Sequence, residues 1–372
     1  MVESKDKLGR PPGDLSEILS VLAIAAPGTV SIRALERILP EGEDGDSFDI
    51  RTYAGPLAQS FLHLFNLPEV MYLLRDRNKE VPYWRSVLDY CLAGNLQAVM
   101  DEFAHMLVES LGLIGSARSK IAAKVSKAIS DPLILRTSTA KADVIKTSRN
   151  RVSIDDADAM RIRTRFAMRF GDQDAEGGAE PTRADSVRSA FNSPFWPFVL
   201  VSTSVGQEGL DFHPYCHAVV HWNLPSNPVD LEQREGRVHR YKGHALRKNI
   251  ASAFSETSDR DATDPWAAMF ATAKTGRSKD ENDLFPFWVA PNGEAKIERH
   301  VPALPHSREL IQKANLGRSL VLYRMVFGQN RQEDLVDYLA SHLPSDQIES
   351  IVDRCRIDLS PPTICLPGSY IV

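Results

Sequence analysis

Apolar residues recur at three- and four-residue spacing through the first third of the chain. ILSVLAIAA, SIRALERIL, LAQSFLHLF and WRSVLDYCLAGNLQAVMDEFAHMLVESLGL, between Leu15 and about Lys127, each gather them on one helical face. A polar gap at Glu41–Asp49 divides the series. The period then changes. Pro132 and a β-like segment at Leu133–Thr137 would open an α/β part, and RIRTRFAMRF (Arg161–Phe170) alternates basic and apolar residues as a half-buried strand does. Its arginines suit solvated strand positions, with a nucleic-acid groove as the second reading. Acidic, glycine-bearing Asp172–Arg183 reads as a loop. Two short apolar runs, Phe198–Val201 and Ala218–Trp222, have the length of strands, and DLEQREGRVHRYKGH, from Asp230, reads as a helix. A further helix reaches about Ser255. Polar stretches at Glu256–Asp264 and Thr275–Asp283 follow. From Ser307 the chain is again amphipathic and helical, interrupted by Gly317 and Gly328; Tyr323, Arg324, Arg331 and Gln332 there fit the wet face of a packing helix.

The expected organisation is a helical region at 1–130, an α/β region at 131–255 and a mainly helical region at 256–372. A length of 372 residues suits two or three domains with a real core. A net charge of −5 argues against a globally basic nucleic-acid coat protein. Contact with DNA or RNA must then come from local patches such as Arg234–Lys248. The sequence shows no apolar run of evident membrane-spanning length and no signal peptide at Met1–Arg10, so a cytoplasmic protein without a membrane partner is expected. Cys91, Cys216, Cys355 and Cys365 lack metal-ligand pairing and read as free thiols. His213, His217 and His221 share the strand period, but no cysteine or acid completes a ligand set, so no metal site is expected.

Candidate chemistry concentrates between Val199 and Lys248. The first apolar run leads into Ser202-Thr203-Ser204-Val205-Gly206-Gln207-Glu208-Gly209-Leu210-Asp211. Two glycines three apart let a backbone approach a ligand closely, and the N–H groups and hydroxyls of such a turn can face phosphate oxygens. Asp211 could accept from a ribose hydroxyl. Beyond the second run, residues three or four apart on a helix would align Gln233, Arg237 and Arg240. Gly236 costs such a helix about 1 kcal/mol relative to alanine, which close approach of a partner would justify.

QREGRVHR at 233–240 resembles the sixth motif of superfamily 2 helicases and Swi/Snf-type translocases, whose pattern is Q-x-x-G-R-x-x-R; STSVGQEGLDF at 202–212 resembles their fifth. The resemblance covers roughly 180–255. It implies a single RecA-like helicase C-terminal lobe of α/β fold, flanked by mainly α-helical regions. It further implies that Arg237 and Arg240 reach the γ-phosphate of ATP, with Arg240 as the arginine finger. Gln233, Gly209 and Asp211 would serve the nucleotide, and Ser202 with Thr203 a nucleic-acid phosphate.

Such motors also need a lobe with a P-loop and an acidic Mg²⁺-binding motif. Gly-Lys-Ser and Gly-Lys-Thr do not occur, and Asp101-Glu102-Phe103-Ala104-His105 only approximates D-E-A-H inside a helical pattern. The usual fourth motif, an apolar strand ending in a serine or threonine, is not recognisable upstream of Arg161. The expectation is a helicase or ATPase half-site, inactive alone, that uses ATP and Mg²⁺ with a P-loop lobe in cis or in trans. The alternative is a non-catalytic remnant that binds nucleic acid or protein.

Overall fold

The computed structural model describes residues 11–42, 48–75, 81–134, 139–148, 151–163, 167–170, 182–202, 213–259, 261–278, 283–290, 293–302, 307–326 and 330–343. The chain forms two units. The first takes in Met1–Met168, Gly177–Leu200 and Asp259–Ala268; the second takes in Arg169–Glu176, Val201–Ser258 and Met269–Val372.

The first unit follows its apolar periodicity. Helices α1 (Leu15–Ala25), α2 (Pro27–Arg37), α3 (Arg51–Phe65), α4 (Pro68–Arg75), α5 (Tyr83–Leu92), α6 (Asn95–Ser110) and α7 (Arg118–Ile134) pack mainly as α2 and α7 on α3 and as α2 on α6. Leu35, Leu57, Phe61, Met100, Val125 and Ile129 are fully buried between them. α8 (Thr182–Phe191) lies on α7, and the Phe195 ring meets Phe61 and Phe103 edge-on at 5.8 and 6.1 Å.

The D-E-F-A-H sequence lies in the middle of α6, as its period predicts. Its polar groups hold helices together. Asp101 receives Arg37 and Gln97, and the His105 ring meets the Asp264 carboxylate at 2.8 Å. Asp264 also accepts the N–H groups of Trp266 and Ala267 at the start of α11 (Pro265–Thr275). Burial pushes the Asp101 carboxyl up despite Arg37. For Asp264 burial acts the same way, but His105 and the two N–H groups outweigh it and hold that carboxyl below the ordinary range.

Two expectations are corrected here. Leu133 and Ile134 end α7 and do not begin a strand. Ile121, Val125, Ile129 and Leu133 are all buried at four-residue spacing, so the helical stripe runs through Pro132. The second concerns Leu15–Arg37, whose 23 residues are long and apolar enough by composition to cross a membrane. Ala26, with φ −59° and ψ 145°, breaks that stretch into two 11-residue helices, each about half of a span, and α2 buries its apolar face on α3 and α6.

Strand β1 (Thr139–Ser148) pairs antiparallel with β2 (Arg151–Arg163), with a register shift between Ala142 and Val144. The 161–170 alternation is thus the end of β2 and all of β3 (Ala167–Phe170), which pairs with β4 (Val199–Ser202). In the second unit β5 (Ala218–Val220) pairs parallel with β6 (Glu298–His300), a strand without a sequence signal. Among the described residues the strands thus form two-stranded ribbons.

The helix expected from Asp230 through His244 is instead two helices, α9 (Pro228–Gly236) and α10 (His244–Phe254). The first ends at Gly236, and the turn between the two closes at Lys242, which has φ 47°. Its side chain is buried, with the ammonium 4.3 Å from the Phe270 ring centre and 5.7 Å from that of Phe287. Its N–H donates to the Phe287 carbonyl (2.8 Å). Tertiary contacts override local helical preference here. α12 (Glu309–Met325) and α13 (Gln332–His342) complete the described residues, and Gln312 of α12 donates to the carbonyls of Leu224 and Pro225. Gly317 does not interrupt α12, because buried Leu316, Leu322 and Val326 offset its helix cost of about 1 kcal/mol. Gly328 lies outside the described residues.

Candidate functional site

Asn227 sets the start of α9. Its side-chain oxygen accepts the N–H groups of Val229 (2.7 Å) and Asp230 (3.1 Å), and Pro228 occupies the first helical position. Such a cap is worth about 1 kcal/mol. Pro228 and Leu231 turn inward while Gln233 stays exposed. Arg234 folds back to donate to the Asn223 carbonyl (2.9 Å).

Glu235 carries a network that sequence reasoning missed. Arg299, from β6, grips both its oxygens through Nε (2.5 Å) and Nη2 (2.6 Å). His221, just past β5 and 2% exposed, adds Nε2 at 3.1 Å. A carboxylate can only accept, so His221 carries its proton on Nε2. Burial alone would raise the Glu235 carboxyl, but hydrogen bonds from Arg299 and His221 outweigh it and hold it below the usual glutamate range. Burial holds His221 below the ordinary histidine value, against the raising pull of Glu235. A neutral histidine, a carboxylate and a guanidinium thus pin α9 to the β5–β6 ribbon.

Past Gly236 the chain turns. A Cβ at Gly236 would meet nothing within 4 Å, so the protein's own packing does not require glycine there. Arg237 is the helix C-cap, half-buried, and its carbonyl accepts the His213 N–H (3.1 Å). Arg240 lies in the following turn, also half-buried. Gln233 and Arg237 are one helical turn apart as expected, but Arg240 is beyond the helix, so no common helical face holds all three. Burial, and then the charge of Arg237, pulls the Arg240 guanidinium below its ordinary value.

Of the remaining expected site residues, Ser202 ends β4, and Thr203, Gly209 and Asp211 lie outside the described residues. The three histidines do not share a strand: β5 covers only 218–220, His213 and His221 are buried, and His217 is exposed with its ring 5.2 Å from that of His244. Among the described residues no three His, Cys, Asp or Glu side chains come together as a metal site. Asn227 had a legible signal, an Asn-Pro pair before a helix. Arg299 had none.

Residues 131–242 match the family described as the helicase conserved C-terminal domain. The chain carries a helicase C-terminal domain. That domain is RecA-like, and it takes in the whole stretch from Ser202 to Arg240. Sixty-four residues are 36% identical to the uncharacterized ATP-dependent helicase YqhH of Bacillus subtilis (strain 168). The match covers 17% of this chain and 11% of that protein. No solved structure matches the chain.

Proposed function

We propose that this helicase C-terminal domain is one half of an ATP-driven DNA or RNA translocase site. Arg237 and Arg240 supply positive charge to the γ-phosphate of ATP, Arg240 as the finger. Gln233, Gly209 and Asp211 serve the nucleotide, and Ser202 with Thr203 grips the nucleic-acid backbone. A P-loop lobe, in cis of a longer protein or in trans, holds ATP and Mg²⁺. Closure of the two lobes then moves the strand.

The observation that carries this reading is the placement of Arg237 and Arg240. They follow one another at a helix end and the next turn, close enough that the charge of Arg237 adds to burial in lowering the Arg240 guanidinium. The open space at Gly236, beside them, leaves room for a ligand to approach the backbone. Guanidinium suits phosphoryl oxygens in geometry and charge, and an arginine finger typically contributes about 10³ to 10⁵ in turnover. The other reading is a remnant that binds nucleic acid or protein without a nucleotide cycle.

The test is nucleic-acid-stimulated ATP turnover by the chain alone and after mixing with a P-loop lobe. Turnover is expected only in the mixture and is expected to be lost with Arg240→Ala. Equal stimulation by wild type and Arg240→Ala overturns the proposal in favour of the remnant.

A further inference from the structure

Arg247 is 1% exposed and is the largest fully buried side chain described. It stands in the first turn of α10, immediately after the turn that carries Arg240. Its Nη1 donates to two carbonyls from different parts of the chain, Pro214 at 3.1 Å and Lys242 at 2.5 Å. Its guanidinium lies over the Tyr215 ring, 4.6 Å from the centre. Pro214 follows the glycine-bearing stretch 202–211 in the sequence, and Lys242 ends the turn that carries the two candidate arginines. One step away, the His213 N–H donates to the Arg237 carbonyl (3.1 Å). The same two segments are therefore joined twice, once by backbone and once by a buried cation.

A buried arginine is an expensive way to fill space, since an apolar side chain of similar volume often stabilises as well or better. What it offers is a flat, rigid fork that holds acceptors in fixed relation. The far side of the arginine turn is held as firmly. The Lys242 N–H donates to Phe287, and its ammonium is held over Phe270 and Phe287, whose rings stack at 5.8 Å. A displacement of His213–Tyr215 thus has a stiff route to Arg237–Lys242.

Resting on the functional reading above, we propose that Arg247 is a positioning residue that couples the segment 213–215 to the turn 237–242. Through it, engagement of nucleic acid near Ser202 is transmitted to the arginines that face the nucleotide. It touches neither ligand.

Hydrogen exchange on the full chain tests this without ATP turnover. Lysine cannot present the fork, so Arg247→Lys is expected to speed exchange in 213–215 and 237–242 together by about tenfold, the effect of losing a hydrogen bond from a charged group. The amides of Ile250–Phe254 in α10 are expected to stay protected. Adding a single-stranded oligonucleotide to wild type is expected to change exchange in 237–242. With Arg247→Lys, binding is expected to persist and that response to vanish, which a merely structural role would not produce. Tyr215→Leu, which keeps the fork but removes the ring beneath it, is expected to weaken the response in part, and it serves if Arg247→Lys does not fold. The proposal is overturned if 237–242 responds equally in wild type and in the variants, or if only one of the two segments loosens in the free chain. An oligonucleotide that binds none of the proteins would count against the functional reading; exchange in the free chain would still decide Arg247.

Discussion

Replacing Glu235 separates two contributions that the structure places on one side chain. Glu235→Ala removes the acceptor of the buried His221 Nε2–H and both bonds to Arg299. An orphaned buried donor costs about 1–3 kcal/mol. The Arg299 side chain is 46% exposed, so loss of its ion pair, screened by solvent, contributes about 1 kcal/mol or less. With about 1.5 kcal/mol from the histidine and about 0.5 from the ion pair, the total is about 2 kcal/mol, most of it from the histidine. Glu235→Gln keeps an oxygen for His221 but loses the charge and one of the two bonds to half-exposed Arg299, so its cost stays near 1 kcal/mol. The readout is native-state exchange at two amides that close the β5–β6 ribbon, His221 to His300 (2.9 Å) and Glu298 to His217 (2.8 Å). Glu235→Ala is expected to accelerate both by about 30-fold and Glu235→Gln by about fivefold. Acceleration below about threefold in Glu235→Ala would refute the anchoring role. Equal effects of the two variants would show that charge, and not the acceptor for His221, sets the energy.

His221 has a depressed value in the folded chain, so the unfolded chain binds more protons as pH falls through its ordinary 6.5. The stability linked to neutral His221 is complete above that pH and lost below it. Glu235, also depressed, adds a loss of the same sign below its ordinary 4.5. The β5–β6 amides, corrected for intrinsic rates, are expected to lose protection from about pH 7 to 5.5, and His221→Gln to flatten that window; an unchanged profile would disprove the assignment. In the first unit, fully buried Phe61 packs against Phe195, and Phe61→Ala is expected to cost about 3–5 kcal/mol, measured as lost protection in α3 and α7 with α9 and α10 unaffected. Asn227→Ala is expected to cost about 1 kcal/mol, read as fraying of the Val229 and Asp230 amides, whereas Asn227→Ser should retain most of the cap. Burial pushes the Cys91 thiol from 9.0 up to about 11, so mass-mapped alkylation near pH 8 should be about 100-fold slower there than at an ordinary thiol.

What the sequence discloses tracks the range of the forces involved. Helical stripes such as Ile121, Val125 and Ile129 repeat within a few residues, so the helices of the first unit are legible from their period. The Q-x-x-G-R-x-x-R pattern is legible for the same reason: its chemistry is packed into eight residues. The errors lie where a distant group decides. α7 continues past Pro132 because Leu133 still has a core to enter. The expected basic helix stops at Gly236, and the turn after it is held where Lys242 finds Phe270 and Phe287, residues of no local significance to it. Glu235 is an unspecified position of the motif, yet it is fixed by Arg299, far along the chain.

The basic run from Arg234 to Lys248 shows what such errors conceal. By composition it is one charged patch, open to solvent or nucleic acid. The fold divides it by task. Arg234 holds a strand exit, Lys242 bends the chain inside an aromatic pocket, and Arg247 is sealed beneath two carbonyls and a tyrosine ring. Lys248 alone among these lysines and arginines is exposed. Arg237 and Arg240 lie between these, both half-buried, and burial with the charge of Arg237 lowers the Arg240 guanidinium. The buried cations on either side, tied to carbonyls and rings, fix the turn on which that pair stands.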